Sequence, residues 1–262
     1  MCLEAFGWRS TAFLSGIIVL VVGLPLIQVI RHRPAEIGEP ADGTLLPTGE
    51  DGSESSFDAT QDFTAREAMR TPSFWFISFG HASALLIVSA VMVHLVPHLT
   101  EGLGYSLSQA GLVVALMTAF QMAGQIGGGY LGDKFNKRLI SIACMMAHSA
   151  ALLLVAFSTN FLMVLAFAAL HGLAWGTRGP LMVAMRADYF GPSSFGTIMG
   201  FSSLIVMLGM SCGPVLAGYL ADVYGNYEIG FTVLAIGAFV GSFCFLAATK
   251  PKPPARLAGD GA

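Results

Sequence analysis

His171, Trp175 and Arg178 stand at i, i+4 and i+7 of one apolar run, so a helix there shows all three on one face. An imidazole, an indole N–H and a guanidinium side by side suit a small organic anion, because Arg can hold a carboxylate through two parallel N–H groups. A second reading stays open: Arg178 snorkels to a membrane surface and His171 is a packed core residue. Gln121 and Gln125 form another polar pair at i, i+4. They are candidates for lining the same cavity, or for hydrogen-bonding a neighbouring helix. His81 is a weaker candidate. His94 and His98 share the i, i+4 spacing but are expected as surface imidazoles, since no third metal ligand is near them. Ser202, Ser203 and Ser211 would line a path or sit at a helix contact. No nucleophile is clustered with a base or with metal ligands, so the sequence reads as no enzyme and calls for no cofactor. The four lysines, 134, 137, 250 and 252, lie outside the apolar runs, which removes the Schiff base of a retinal pigment. Cys2, Cys144, Cys212 and Cys244 are far apart and read as free thiols packed like small hydrophobes.

These side chains need a scaffold, and the composition says which. Of 262 residues, 55% are hydrophobic and 11% charged, with a mean hydropathy of +0.70. Soluble domains carry about 25% charged residues, so this is a membrane protein. No basic stripe points to nucleic acid. A spanning helix needs about 20 mostly apolar residues. Seven such segments are predicted, over residues 10–31, 72–98, 106–132, 138–157, 161–186, 195–221 and 228–249. The break between the fourth and fifth is placed at the turn signal Ser158–Asn160. With the N-terminus outside and the C-terminus in the cytoplasm, eleven of the thirteen cations fall in cytoplasmic segments, as the positive-inside rule requires. The expected location is therefore the cell membrane, crossed many times.

Residues 34–63 are rich in Pro, Gly, Ser and acid, and nine of the sixteen acids lie between Glu36 and Glu67. This stretch cannot bury enough apolar surface to fold alone and reads as a cytoplasmic linker. At its end Thr64 and Glu67 have capping-box spacing, which predicts either a short amphipathic helix on the membrane surface or an ordinary loop. The chain also repeats itself. "EAFGWRSTAF" (Glu4–Phe13) and "DVYGNYEIGF" (Asp222–Phe231) share acid, apolar, aromatic and Gly in their first four places and Phe in the tenth. Each precedes an apolar helix and then a cationic segment. Transporters built of duplicated halves show weak symmetry of this type. Gly pairs at four-residue spacing (124/128/132, 172/176, 209/213, 237/241) predict close helix contacts and pivots, and Pro214 predicts a kink.

"GYLGDKFNKR", Gly129–Arg138, packs one acid and three cations into its last six residues. It resembles the major facilitator superfamily signature G-x-L-(A/G)-D-(R/K)-x-G-(R/K)-(R/K), with Asn136 in place of the usual Gly. Asn tolerates a left-handed backbone, so the turn is expected to survive. "REAMRTPSFW…VHLVPHLTEGLGYS" (66–106) and "RADYFGPSSFGTIMG" (186–200) resemble bacterial members akin to monocarboxylate and oxalate/formate carriers.

The resemblance implies an all-α, polytopic membrane helix bundle corresponding to helices six to twelve of a twelve-helix carrier. Residues 1–31 would be the last helix of a missing N-terminal half, 32–71 the acidic linker, 72–249 the six-helix C-terminal half and 250–262 a cytoplasmic tail. The function it implies is secondary transport of a small solute, preferably a small organic anion such as a monocarboxylate, by alternating access, with a co-transported proton as a further partner. Arg178, His171, Trp175, Gln121 and Gln125 would contact the solute. Gly129, Gly132, Asp133, Lys134, Lys137, Arg138 and Arg186 would form a cytoplasmic gate. Asp133 would meet Arg186 or the N-terminus of the helix that begins near 195, and Lys134, Lys137 and Arg138 would hold anionic lipid. With half a binding site, this chain is expected not to transport alone. A seven-helix receptor and an inactive truncated carrier are the alternatives.

Overall fold

A computed structural model describes residues 2–29, 62–254 and 256. Arg31, Arg33 and most of the acidic linker lie outside the described residues. The chain divides into two units, 1–55 and 56–262.

The first unit holds α1, Cys2–Val29. Its backbone breaks at Gly7, whose φ of 71° is open to Gly at no steric cost. Beyond that break α1 runs on as helix to Val29, with Pro25 inside it. Side chains from Ile17 to Val22 are exposed.

The second unit holds α2 (Ala65–Met69), α3 (Pro72–Pro97), one π-helical turn (His98–Gly102), α4 (Leu107–Lys134), α5 (Lys137–Ala156), α6 (Phe161–Phe190), α7 (Phe195–Tyr224) and α8 (Glu228–Ala247). Among the described residues six helices, α3 to α8, are long and apolar enough to cross a membrane. Caps set their starts. Thr71 accepts from the Phe74 amide, with Pro72 in the first turn. Ser106 and Gln109 form a capping box on α4. Asn160 accepts from the Met163 amide and opens α6 at the expected turn. Asn136 departs from its expected role. Its φ is −65°, and its side chain accepts from the Arg138 and Leu139 amides, so it caps α5 rather than making a left-handed turn. A capping oxygen gains hydrogen bonds that a left-handed Asn would forgo.

α2 forms with its predicted capping box, Thr64 to Glu67. It packs on α3 and α7 instead of standing apart. Phe63 is buried, donates its N–H to the Phe190 carbonyl at 2.8 Å and packs edge-on to the Phe190 ring. Arg256 closes over this turn, 3.3 Å from Glu67 and bonded to the Asp62 carbonyl.

The six long helices pair chiefly as α4 with α6, α3 with α7, and α5 with both α6 and α8. Glycine permits the first two seams. A Cβ at Gly124 would stand 2.6 Å from the Leu173 carbonyl oxygen, and at Gly172 and Gly176 it would strike the Met117 and Gln121 carbonyls. Gly209 and Gly213 meet the Ala82 and Leu86 carbonyls in the same way. Gly237, by contrast, has open space around it. α7 continues through Pro214. His94 and His98 are not surface imidazoles. His98 is buried and bonds the Val155 carbonyl at 2.9 Å, while His94 bonds the Pro214 carbonyl at 2.9 Å. Each ring joins two helices by satisfying a backbone acceptor.

Two outcomes follow from this packing. Gly176→Ala should cost about 1–3 kcal/mol, because backbone on both sides cannot yield. Gly127→Ala, with nothing within 4 Å, should be neutral or slightly stabilising. Thermal unfolding in detergent reads both. At α2, the Thr64 backbone amide, then the Thr64 hydroxyl, and then Arg256 hold the Glu67 carboxyl below the usual carboxylate range. Its cap is therefore complete at neutral pH and fails only as the pH falls through that depressed value. In Thr64→Ala, the Glu67 carboxyl resonance should titrate at higher pH than in the wild type, and amide protection in α2 should drop at neutral pH.

Candidate functional site

The long helix α6 carries four of the sequence-predicted residues. His171, Arg178 and Arg186 are all essentially inaccessible, at 0%, 1% and 1% exposure, and Trp175 is half-buried against the core. Arg178 therefore does not snorkel. Its Nε and Nη1 are buried with no hydrogen-bond partner. Around it electrostatically stand His81 of α3, Cys144 and His148 of α5, and His171 and Arg186 of its own helix. No Asp or Glu is buried among the described residues. Removing a guanidinium from water costs several kcal/mol unless an opposing charge and hydrogen bonds compensate. Arg178 has neither from the protein.

His148 is a site residue that the sequence reading missed. Its Nδ1 lies 3.1 Å from Nδ1 of His171, with ring centroids 4.5 Å apart, and both rings are fully buried. Nothing in its own helix marks it. The pair exists only because α5 packs on α6. Nε2 of each ring has no partner. Phe167 covers His171, with centroids 5.4 Å apart.

Arg186 is accommodated differently. Its Nη2 and Nε donate to the Ser202 hydroxyl at 2.7 and 3.1 Å, and its Nη1 donates to the Met182 carbonyl at 2.8 Å. Nη2 also lies 3.4 Å from Nδ1 of His81, and Ser202 Oγ is 2.8 Å from Ser78 Oγ. This network ties α3, α6 and α7 together. Ser203 and Ser211, on other faces of α7, are exposed.

The expected contact between Asp133 and Arg186 does not form. Asp133 is exposed and has no ion pair among the described residues. Arg186 points inward, whereas Asp188, two residues on and so on another face, pairs with Lys137 at 2.8 Å. That ion pair joins the start of α5 to the end of α6. Lys134 folds back over the Tyr130 ring, 4.3 Å from its centroid, and Arg138 lies beside Tyr189. Gly132 is buried under the Leu181 side chain, and Gly129 has open space around it. Gln121 and Gln125 sit where α4 crosses α6. Their backbones bracket Gly176, and their side chains are half-buried and exposed respectively. The structure thus gathers His148, His171, Arg178 and Arg186 into one buried basic cluster, with the half-buried His81 at its edge. It places the two glutamines at its flank and the Asp133 segment outside it.

Known proteins share this architecture. The chain is 23% identical to a benzoate transport protein of Acinetobacter baylyi over 257 residues, covering 90% of this chain and 54% of that protein. It is 32% identical to monocarboxylate transporter 13 of Rattus norvegicus over 152 residues, 56% of this chain and 34% of that one. It is 25% identical to the membrane sensor protein UhpC of Escherichia coli over 265 residues, 95% and 58%. The chain spans about half the length of the benzoate transport protein. Among solved structures, a peptide transporter POT superposes with a TM-score of 0.58 at 21% identity, covering 69% of this chain and 37% of that one. A bacterial homologue of the human lysosomal transporter Spinster, inward-facing and unoccupied, gives 0.51 at 21% identity, covering 92% and 60%. The profile of the Major Facilitator Superfamily matches residues 77–261, which is most of the six-helix unit and the segment after it, and the chain belongs to that superfamily of membrane transporters.

Proposed function

We propose that this chain is the C-terminal lobe of a secondary transporter that moves a small organic anion, such as a monocarboxylate, by alternating access. The observation that carries the reading is Arg178, a buried guanidinium with two unpartnered N–H-bearing atoms and no buried acid near it among the described residues. A carboxylate supplies the missing charge and two acceptor oxygens in one group. The relatives named for benzoate and for monocarboxylates are compatible with such a cargo. In this reading α1 ends the preceding lobe and the acidic linker joins the two. The N-terminus lies outside and the C-terminus in the cytoplasm. Lys134, Lys137 and Arg138 meet anionic lipid at the inner surface. Trp175, Gln121 and Gln125 border the path by which the anion reaches Arg178.

One relative is a membrane sensor, so a protein of this fold that binds its ligand without carrying it is the second reading. Uptake of a carboxylate panel by the full carrier in liposomes separates the two. Arg178→Ala should lower uptake of the preferred carboxylate about ten- to hundred-fold, the worth of a charge-assisted hydrogen-bonded contact. Arg178→Lys should recover only part of it, since an ammonium cannot grip both oxygens at once. Binding without flux favours the sensor, and unchanged uptake by Arg178→Ala removes the assignment of this residue.

A further inference from the structure

We propose that the His148–His171 pair is the proton-carrying site of this lobe, taking up one proton as an anion settles against Arg178. This rests on the anion reading above and adds the second ion to it.

The geometry fixes the chemistry. An Nδ1-to-Nδ1 hydrogen bond of 3.1 Å requires one ring to donate from Nδ1–H and the other to accept at a bare Nδ1. In the neutral pair the donor ring has a bare Nε2, and the acceptor ring carries its proton on Nε2. Both Nε2 atoms are buried and unpartnered. The pair thus offers one open lone pair and one open N–H, side by side in the membrane interior. A proton arriving at the open lone pair turns the donor ring into an imidazolium. That ring still donates Nδ1–H to its neighbour, now through the stronger charge-assisted form of the same bond. The pair then holds one positive charge over two rings with no rearrangement of the helices.

The surrounding charges couple this event to the anion. From α6 itself Arg178 acts on both imidazoles. Cys144 is the other titratable group that α5 places beside Arg178. Farther out stand Arg186 and, from α3, His81. α4 has its Asp133 and Lys134 at its exposed end, and α8 has Glu228 at its exposed start and a half-buried Cys244. With no buried acid in reach, a second cation beside Arg178 meets only repulsion until a carboxylate cancels the guanidinium charge. Anion and proton therefore load together. The empty site carries the Arg178 cation alone, beside an Arg186 whose charge does not change. A loaded one carries Arg⁺, the carboxylate and one imidazolium, which is the same net charge. The proton comes from hydronium on the open side, with an O–H bond breaking as Nε2–H forms. It returns to water on the other side by the reverse step.

Labelled pyruvate is the probe, used with the full carrier in liposomes, because its conjugate acid is too scarce at neutral pH to leak across. An alkaline lumen should make the wild type accumulate pyruvate at least ten-fold more than equal pH does. His148→Asn and His148→Gln should lose that gradient-driven accumulation, while pyruvate-for-pyruvate exchange, which needs no net proton movement, is weakened by the lost coupling but remains detectable. In the wild type, ¹⁵N-histidine spectra at constant pH should show one new imidazolium when pyruvate is added. Accumulation that survives in both His148 variants overturns the proposal, as does a wild-type spectrum that pyruvate leaves unchanged. The spectrum decides even if both variants fail to fold. Absence of exchange with pyruvate and with benzoate sinks the anion reading and this one with it. Exchange that ignores the pH gradient sinks the proton alone.

Discussion

Arg178 and Arg186 are two turns apart on the same helix, both sealed from solvent, in a unit that buries no carboxylate among its described residues. The cost of removing a guanidinium from water must be recovered within the bundle. Arg186 recovers it from neutral groups, with a serine hydroxyl, a helix carbonyl and an imidazole filling its fork. Arg178 is left with open donors. One position is finished by the fold, and the other keeps the open donors on which the proposed anion site rests. Hydrogen-bond satisfaction, not burial, distinguishes the two arginines, because burial is the same for both.

The close helix seams make that contrast possible. Ser78 and Ser202 bond at 2.8 Å across the α3–α7 seam, where Gly209 and Gly213 let α7 press on the carbonyls of α3. The α4–α6 seam is closed by glycines from both helices, which fixes the rotation of α6 and so the direction in which its arginines point. Small residues here act on electrostatics through distance: they set how deep in the bundle a charge must sit.

The all-helical fold was legible because hydrocarbon leaves the backbone little choice, and the break at Ser158–Asn160 followed from turn chemistry. The Asp133 segment announced the superfamily, and the spacing of His171, Trp175 and Arg178 named a real helix face. What could not be read was rotation about each helix axis. A sequence apolar on nearly every side does not say which face turns inward. Hence Gln125 and Arg178 looked equivalent as cavity residues, yet one is exposed and the other sealed. His148 was invisible for the same reason, since its meaning lies wholly in a ring on another helix. His94 and His98 were placed at a surface because their position along the helix was clear and their direction was not.

The same distinction between internal and external satisfaction applies to the charged loop after α4. Lys137 and Asp188 answer one another at 2.8 Å, and Asn136 caps the helix that follows, so α5 and α6 are joined at that end without any help from Asp133. A rocking body needs rigidity inside itself and contacts with its counterpart that can break. An acid already paired within the lobe would add to the first requirement and do nothing for the second. Asp133 is exposed and unpaired among the described residues, and an exposed ion pair made across an interface is worth only about 0–1 kcal/mol. In the alternating-access reading proposed above, a contact of that size breaks once in every cycle and holds a closed state only when added to others. The shape of this lobe is therefore set away from that loop, by the glycine seams and by the Ser78–Ser202–Arg186 network.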